Sequence, residues 1–391
     1  MTDAVILAAC RTPIGKFQGS LAAIPAPDLG ATAIRAALAR SGVDPGQVDE
    51  VVMGNVLSAG LGQAPGRQAA LRGGLPPSVA ALTVNKVCGS GLKAIMLGTQ
   101  AIRAGDAKVV IAGGLESMSR APFLLDRSGP PLGDRTLVDS LQHEGLTCAL
   151  CDRSMGLIAE NLASAAGITR DDQDQFALQS HRRAVAAVES GLFADEIVPV
   201  TVMDRSGPRE VTRDDGPRPD ASIERMAKLS AAFASVGTVT AGNASMISDG
   251  AAAVVIASSE FQQATGLKPL ARILSYATAG LKPEDLFVAP VPAIRQALER
   301  AGLQVADVDL FEINEAFAVQ TLACMRELNL PPERVNVNGG AIALGHPLGC
   351  SGARVAVTLL HAMRQRQARI GVAALCLGGG NAVAAVFELI A

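Results

Sequence analysis

The sequence predicts an α/β protein that is built from two copies of one βαβα unit. Residues 33–42 and 293–302 share seven identities in ten, at an offset of 260 residues. Ser90-Gly91 matches Ser351-Gly352 at an offset larger by one, and each pair opens an apolar helix. Strands rich in Val, Ile and Ala alternate with these helices. A duplication of this kind predicts two layered halves, each with a mostly parallel sheet that is covered by helices.

The predicted elements divide the chain into two halves and an insertion. The first half begins with a strand from Val5 to Ala8 and regains a strand at 249–258, after the insertion. The insertion contains a predicted helix at 173–190 and a predicted loop at 203–228. An insertion of this size is typical of a lid or a binding subdomain. The predicted domains are 1–118 with 249–269 for the N-terminal half, 119–248 for the loop domain and 270–391 for the C-terminal half.

The stretch around Cys88 has features of a nucleophile. Apolar side chains recur at helical spacing from Leu92 to Ile102, and Gly105 ends the pattern, so Cys88 lies at a helix N-terminus. The unpaired N–H groups and the helix dipole favour a thiolate there. The glycines on either side of Ser90 leave backbone N–H groups free to hold an oxyanion. The alternative is a buried cysteine that packs as a small hydrophobe.

Composition argues against several classes of protein. The 391 residues are 49% apolar and 18% charged with a net charge of −3, and they include one Tyr and no Trp. No Lys/Arg cluster occurs, so we expect no nucleic-acid partner. The odd set of seven cysteines and the absence of a signal-peptide pattern predict a cytoplasmic location. The apolar run at 370–391 contains consecutive glycines, which favours two strands joined by a turn over a membrane span.

Polar residues follow the predicted strands of the second half, at the sheet edge where α/β proteins bind ligands. Asn314 follows a strand at 308–313, and Cys376 follows a strand at 370–375. His346 lies in the glycine-rich loop that comes after a further predicted strand at 335–338.

The duplication predicts that His346 faces Cys88, because both precede corresponding helices. A histidine beside a cysteine generates a thiolate, and a second cysteine supplies an acid or base. Each residue also has a structural explanation: His346 as a turn residue, Cys376 as core, and Asn314 as the cap of its own helix.

Two short motifs resemble cofactor sites but lack the context of such sites. The glycine string at 60–66 is one residue too long for a dinucleotide fingerprint, and no acidic residue lies near position 80. Cys148-Ala-Leu-Cys151 has the spacing of a redox motif or of half a zinc site. No second pair or histidine cluster accompanies it, so we predict no metal site.

Four motifs resemble the active-site motifs of the thiolases in order and spacing. They are Asn-Lys-Val-Cys-Gly-Ser-Gly from Asn85, Asn-Glu-Ala-Phe from Asn314, Gly-His-Pro from Gly345, and Cys-Leu-Gly from Cys376. The resemblance extends from Arg11 to the end and therefore covers essentially the whole chain. It implies the five-layer αβαβα fold of a duplicated thiolase with an inserted loop domain.

The resemblance implies two-step acyl transfer and a role for each motif residue. Cys88 would be the nucleophile that becomes acetylated, and His346 would be the base that activates it. Asn314 would hold a water in the first oxyanion hole, to which His346 also donates. Cys376 would remove the α-proton of the incoming acetyl-CoA. The N–H groups of Cys88 and Gly378 would form the second oxyanion hole.

The resemblance further implies acyl-CoA substrates, no tightly bound cofactor and a homotetramer. Coenzyme A would lie against the loop domain, on residues implied by position: Ser245 for the pantetheine, Arg218 for the adenine face, and Leu146, Met155 and Phe317 along the tunnel. One residue departs from the pattern. Many acetoacetyl-CoA thiolases have a histidine where this chain has Ser154.

Three functions remain open from the sequence. An acetyl-CoA C-acetyltransferase that acts on acetoacetyl-CoA is favoured, because the residues after Cys88 and those up to Ser245 are similar to that branch. A broader 3-ketoacyl-CoA thiolase, including one for dicarboxylic substrates, is the second. A non-catalytic acyl-CoA- or lipid-binding relative is the third, and the intact set of cysteines, histidine and asparagine argues against it.

Overall fold

The computed structural model describes residues 3–129, 132–204 and 207–390. Within these ranges the strands are β1 (Ala4–Arg11), β2 (Gly15–Lys16), β3 (Glu50–Gly54), β4 (Ala80–Val84), β5 (Val109–Ser117), β6 (Phe123–Leu125), β7 (Leu137–Asp139), β8 (Thr147–Cys148), β9 (Arg153–Ser154), β10 (Val200–Asp204), β11 (Gly207–Val211), β12 (Ser248–Ser258), β13 (Ala271–Gly280), β14 (Leu310–Ile313), β15 (Ile370–Leu377) and β16 (Asn381–Leu389).

The helices lie between these strands. They are α1 (Ala26–Ser41), α2 (Pro65–Arg72), α3 (Ser90–Ala104), α4 (Met155–Ala166), α5 (Arg170–Glu189), α6 (Ile223–Met226), α7 (Ser259–Thr265), α8 (Pro290–Ala301), α9 (Ala318–Leu328), α10 (Ala341–Leu344) and α11 (Leu348–Arg366). Short 3-10 turns occur at Pro45–Gln47, Met118–Arg120, Pro283–Val288, Val305–Asp307 and Pro332–Arg334, and Leu141–Gly145 forms a π-helical turn.

The long strands form one mixed sheet in the order β14-β15-β16-β13-β1-β12-β5-β3-β4, with β2 paired to β12. β3 runs parallel to β4 and β5, and β14 runs parallel to β15. The other pairings are antiparallel. The expectation of mostly parallel sheets is therefore wrong. β12 and β16 run opposite to both of their neighbours, and the turn of three residues between β15 and β16 can join only antiparallel strands.

The duplication predicted from the sequence is visible element by element. β1, α1, β3, α3, β5 and β12 of the first half correspond in order to β13, α8, β14, α11, β15 and β16 of the second half. The two sets meet at the centre of the sheet, where Val5 pairs with Arg272 and Ile6 pairs with Ala271. A two-fold relation between the halves follows from this arrangement.

The strand predicted at 335–338 is not formed, and this prediction is wrong. Val335 makes an isolated bridge to Phe311, after which Asn336 adopts a positive φ of 47°. The Asn336 side chain accepts a hydrogen bond from the Ile313 N–H and donates one to the Ile313 carbonyl, both at 2.8 Å. Because this amide occupies the groups that a neighbouring strand would use, the chain leaves the sheet here.

The elements stack in five layers, αβαβα, as the resemblance implied. α3 and α11 form the middle layer, and their side chains share one apolar core with both halves of the sheet. α1 and α2 cover the outer face of the first half, and α8 and α9 cover the outer face of the second half. Alternate strand residues face the two cores: Ile6 faces the middle layer, whereas Val5 faces α1.

The two helices of the middle layer cross in backbone contact at the repeated glycines. A Cβ atom added at Gly91 would lie 2.5 Å from the backbone nitrogen of Ala353. A Cβ atom added at Gly352 would overlap the backbone nitrogen of Leu92. The duplicated Ser-Gly pair therefore allows α3 and α11 to approach at their first turns, which brings the loops before both helices together.

The insertion carries α4, α5 and α6 together with three two-stranded hairpins. The helix predicted at 173–190 is confirmed by α5. The loop predicted at 203–228 is partly wrong, because its beginning belongs to the β10–β11 hairpin and its last part contains the short helix α6. Val200, Val202 and Val211 of this hairpin are buried in the core of the first half. Burial of these three valines stabilises the hairpin. The polar composition of the rest of the segment gives no indication of it.

The apolar C-terminal run forms β15 and β16, as predicted. Gly379 and Gly380 have φ values of 80° and 85° in the turn between them, a region that favours glycine. Among the described residues, no helix combines the length and the apolar composition that crossing a membrane requires.

Candidate active site

A cavity of about 710 Å³ lies where the first turns of α3 and α11 meet the insertion. Nine of the ten site residues predicted from the sequence line it: Cys88, His346, Cys376, Gly378, Ser245, Arg218, Leu146, Met155 and Phe317. Asn314 lies behind this wall, with its Nδ2 atom 3.5 Å from each ring nitrogen of His346. The fold therefore gathers all ten residues, and the cavity has the size of a small-molecule site.

Cys88 is held at the end of a strained turn before α3. Val87 has a φ of 49°, an unusual value for a β-branched residue. The Val87 N–H donates to Asn85 Oδ1 at 2.9 Å, and the Val87 carbonyl accepts from Ser90 Oγ at 2.6 Å. Ser90 Oγ also accepts from the Lys86 N–H at 2.8 Å. Three side-chain hydrogen bonds thus fix the conformation that presents the sulfur to the cavity.

The loop of Cys88 touches the end of β15. A Cβ atom added at Gly89 would overlap the side chain of Leu377, which follows Cys376 directly. The backbone N–H groups of Cys88 and Gly378 both act to lower the pKa of the Cys88 thiol, so both lie beside its sulfur. A glycine at position 89 is therefore required for the close approach that brings two N–H donors to one atom.

The structure does not support the expected resting thiolate at Cys88. Desolvation raises the pKa of this thiol to about 12, although the N–H groups of Cys88 and Gly378 act to lower it. Glu116 nearby acts to raise it further. The effect of burial on the pKa is larger than the effect of the helix N-terminus. Removing a thiolate from water destabilises it by more than the terminal N–H groups stabilise it. Cys88 rests as a thiol and must pass its proton to a base when it reacts.

His346 is unprotonated at rest, so one of its ring nitrogens is free to accept that proton. Burial, with Arg354 nearby, lowers the pKa of the imidazole to about 3, so the ring is neutral. Its Nδ1 atom lies 2.6 Å from Ser351 Oγ, and the Ser351 hydroxyl donates to the Pro347 carbonyl at 2.8 Å. Since this hydroxyl proton is already donated, Ser351 Oγ accepts from Nδ1–H. The proton therefore sits on Nδ1, and Nε2 keeps a lone pair.

A buried ion pair lies behind His346 and positions Asn314. Arg354 contacts Glu312 at 2.6 Å, and both side chains are fully buried. Arg354 Nη2 also donates to Asn314 Oδ1 at 3.4 Å. With Oδ1 engaged in this way, the amide nitrogen of Asn314 points toward the ring of His346.

Cys376 is the second thiol of the cavity. It is the last residue but one of β15 and is buried in an apolar cluster with Phe317. Burial raises the pKa of Cys376 well above its ordinary value, and Cys88 beside it acts in the same direction. The resting cavity therefore holds two neutral thiols and one neutral imidazole.

The wider part of the cavity is apolar and is fixed by aromatic contacts. The ring of Phe317 packs edge-to-face against Phe287 and Phe233, with centroid distances of 5.3 and 6.1 Å. The Ser245 N–H donates to the Ala316 carbonyl at 3.0 Å. Ser154, which departs from the family pattern, caps α4 by accepting from the Leu157 N–H at 3.3 Å.

Glu116 connects the loops around the cavity. Its carboxylate accepts hydrogen bonds from the backbone N–H groups of Val56 (3.0 Å), Leu57 (3.2 Å) and Gly349 (2.8 Å). Asn55 Nδ2 donates to it as well, at 2.7 Å. Burial raises the pKa of Glu116 to about 7, although these donors act to lower it. One carboxyl group therefore holds loops of both halves beside Cys88.

Two family models match the chain and together span nearly all of it. The thiolase N-terminal domain matches residues 4–260, and the thiolase C-terminal domain matches residues 267–389. The chain belongs to the thiolase family.

Named relatives of this thiolase are similar along the whole chain. It is 55% identical to an acetyl-CoA acetyltransferase of Pseudomonas aeruginosa, over 98% of each chain. It is 54% identical to an acetyl-CoA acetyltransferase of Escherichia coli, over 99% of each chain. The crystal structure of the Bacillus anthracis acetyl-CoA acetyltransferase matches with a TM-score of 0.98 and 43% identity, over 100% of this chain and 99% of that one.

Three residues of the thiolase site were missed by the sequence reasoning. The sequence pattern marks Ser351 only as part of the duplicated Ser-Gly pair, whereas its hydroxyl sets the tautomer of His346. Arg354 and Glu116 are isolated charged residues in apolar stretches of α11 and β5. This isolation could have identified them from the sequence as candidate site residues. A charged residue in a buried apolar element needs a partner, and functional sites commonly supply one.

Proposed function

We propose that this thiolase catalyses the Claisen condensation of two acetyl-CoA molecules to acetoacetyl-CoA and CoA, together with the reverse thiolysis. One observation carries the proposal. Cys88, His346 and Cys376 share one cavity, and the backbone N–H groups of Cys88 and Gly378 lie close enough to the Cys88 sulfur to lower its pKa. The acetyl-CoA acetyltransferases with which the chain shares 54–55% identity support the same assignment.

In the first step, Nε2 of His346 takes the proton of Cys88 while the sulfur attacks the carbonyl carbon of acetyl-CoA. The resulting oxyanion is stabilised by His346 and by a water that we assign to Asn314. The C–S bond to CoA then breaks, which leaves acetyl-Cys88. Because the resting site is neutral, the departing CoA sulfur must take a proton from a group in the cavity.

We assign that proton to Cys376. Its loss leaves a Cys376 thiolate opposite a protonated His346, and each charge stabilises the other in a buried site. This thiolate then removes the α-proton of a second acetyl-CoA. The carbanion attacks acetyl-Cys88, the Cys88 sulfur leaves, and His346 returns its proton to that sulfur. Every group thus regains its starting charge.

The second acetyl-CoA can lose its α-proton only while its enolate oxygen is stabilised. We assign this role to the N–H groups of Cys88 and Gly378. Removal of one donor from an oxyanion hole costs roughly 10²–10³ in rate in acyl-transfer enzymes. Coenzyme A acts here as a substrate, and the proposal includes no resident cofactor.

We assign coenzyme A binding to the insertion, residues 119–248, as a loop domain between the halves 1–118 with 249–269 and 270–391. The lining of the cavity supports this assignment. The residues that we propose to contact coenzyme A are Ser245, Arg218, Leu146, Met155 and Phe317.

We also propose a cytoplasmic homotetramer with a role in fatty acid metabolism. All seven cysteines are free, which agrees with a reducing compartment. The β6–β7 hairpin exposes apolar side chains, with Phe123 66% and Leu137 59% exposed, as expected of a surface that a neighbouring subunit covers.

Thiolysis kinetics test the proposed function. kcat/KM is measured with acetoacetyl-CoA and with longer and dicarboxylic 3-ketoacyl-CoAs, at saturating CoA. We expect acetoacetyl-CoA to be preferred. A higher kcat/KM for the longer chains would replace this assignment with a broad 3-ketoacyl-CoA thiolase. Absence of turnover with every substrate, despite binding, would favour a non-catalytic acyl-CoA-binding protein.

A further inference from the structure

The Cys148-Ala-Leu-Cys151 motif forms a close thiol pair outside the proposed mechanism. The two cysteines lie in the tight β8–β9 hairpin, in which Cys148 pairs with Arg153. Cys148 is buried and Cys151 is partly exposed. Both side chains belong to one apolar cluster, and each affects the pKa of the other. The tight turn thus keeps the two thiols near each other, and one of them reaches solvent.

The surroundings of Cys148 differ from those of the other buried thiols. Burial raises the pKa of Cys10, Cys324 and Cys350 to about 12. Burial acts on Cys148 in the same direction, but the Cys151 thiol and the N–H groups of Leu150, Cys151 and Gly379 outweigh it and lower its pKa. The pKa of Cys151 is raised, by burial and by the Cys148 thiol. The pKa values of the two thiols are therefore shifted in opposite directions.

A metal site does not explain the pair. Among the described residues, no group of three or more His, Cys, Asp or Glu side chains is arranged to hold a metal ion. A structural zinc ion needs four ligands, and this hairpin supplies two. Two neighbouring thiols on one tight hairpin, one of them exposed to solvent, are instead an arrangement that reacts by thiol–disulfide exchange.

We propose that Cys148 and Cys151 form a reversible disulfide by exchange with low-molecular-weight disulfides such as oxidised glutathione. Cys151, the more exposed of the two thiols, loses its proton as its sulfur attacks one sulfur of the glutathione disulfide, which forms a mixed disulfide and releases one glutathione thiolate. The Cys148 thiolate then attacks the Cys151 sulfur and expels the second glutathione. The two protons of the protein thiols end on the two glutathiones. The protein is oxidised by two electrons, and one glutathione disulfide is reduced.

The hairpin links this chemistry to the cavity. Leu146, just before β8, and Met155, just after β9, both line the cavity. The N–H of Gly379, the residue next to Gly378, acts to lower the pKa of Cys148, so the two groups are neighbours. A disulfide at Cys148 would change the sulfur beside this N–H and would pull on both flanks of the hairpin. We therefore expect oxidation to reduce turnover, an effect that rests on the proposed function.

A mass-spectrometric titration tests the disulfide without reference to activity. The full-length protein is equilibrated in buffers with a varied ratio of oxidised to reduced glutathione, alkylated and digested with trypsin. Cleavage after Arg135 and Arg153 yields a peptide, residues 136–153, in which Cys148 and Cys151 are the only cysteines. We expect this peptide to escape alkylation and to lose the mass of two hydrogen atoms as the ratio rises. Added reductant should reverse the change.

Matched variants separate the pair from the cavity thiols. The disulfide should form equally in Cys88→Ala/Cys376→Ala, which lacks both cavity thiols. In Cys148→Ser, Cys151 should stop at the glutathione adduct. A wild-type peptide that stays fully alkylated, or that carries only glutathione adducts, would overturn the proposal.

Activity is then compared between the wild type and Cys148→Ser/Cys151→Ser. Oxidation should lower acetoacetyl-CoA thiolysis in the wild type alone. Equal loss in both proteins would assign the inhibition to other thiols and refute the coupling to the cavity. If neither reduced protein turns over, the proposed function fails, whereas the peptide titration still decides the disulfide.

Discussion

The hydroxyl of Ser351 gives the sharpest test of how the site works. In Ser351→Ala, Nδ1–H of the buried His346 loses its acceptor, and Asn314 beside the ring offers only a donor at 3.5 Å. An unsatisfied buried donor costs about 1–3 kcal/mol. The ring avoids this cost by moving its proton to Nε2, the atom that must accept from Cys88. If that energy is what favours the reactive tautomer, kcat falls by roughly 5- to 150-fold.

The assay is steady-state thiolysis of acetoacetyl-CoA, with kcat and KM measured separately. KM should change little, because Ser351 does not line the cavity. Thr358→Val is the matched control, since it removes a buried hydroxyl of the same helix that donates to Glu196 at 3.2 Å. It should lower the melting temperature comparably and leave kcat unchanged. An unchanged kcat in Ser351→Ala, or an equal loss in Thr358→Val, would refute the tautomer argument.

Three further outcomes are expected. With labelled acetyl-CoA, Cys376→Ala should still place label on Cys88, more slowly because the departing CoA sulfur loses its proton donor, yet form no acetoacetyl-CoA; label retained by Cys88→Ala would contradict the proposed nucleophile. Gly352→Ala places a Cβ on a backbone nitrogen of α3 and should destabilise by about 1–3 kcal/mol or more in urea unfolding. Gly280→Ala, where the added atom meets nothing within 4 Å, is its control. His346 has a folded pKa of about 3 against 6.5 when unfolded, so its stabilising contribution is present above pH 6.5 and is lost as pH falls. The free energy of unfolding should fall with pH by up to about 1.4 kcal/mol per unit more steeply than in His346→Asn; equal slopes would contradict a neutral buried ring.

Most of the fold was predictable because it repeats. The match between 33–42 and 293–302 indicated two equivalent halves, and the structure places the matched helices α1 and α8 in equivalent outer layers. The strand at 335–338 was mispredicted for a local reason. A Val-Asn-Val-Asn run has the alternation of a strand, but the Asn336 side chain takes the backbone partners of Ile313. Such competition between a side chain and the backbone does not change the hydrophobic periodicity of the sequence, so the pattern cannot reveal it.

Local sequence patterns also could not predict whether neighbouring strands run parallel or antiparallel. Buried Val- and Ala-rich runs are typical of parallel sheets, but β12 is buried by helices on both faces although it is antiparallel to β1 and β5. Burial on both faces removes the alternation that would otherwise mark an antiparallel strand. Only the path of the chain through the insertion decides the direction in which β12 runs.

The sequence by itself determined the inventory of the site: a cysteine before one helix, a histidine before its duplicate, and an asparagine and a second cysteine at strand ends. The tertiary structure decided their chemical states. A helix N-terminus favours a thiolate at Cys88, yet the packing of both halves around the sulfur raises its pKa to about 12. Desolvation depends on everything that surrounds an atom, and those neighbours come from distant parts of the chain. For the same reason the tautomer of His346 depends on the hydroxyl of Ser351, whose role appears only once α11 is folded.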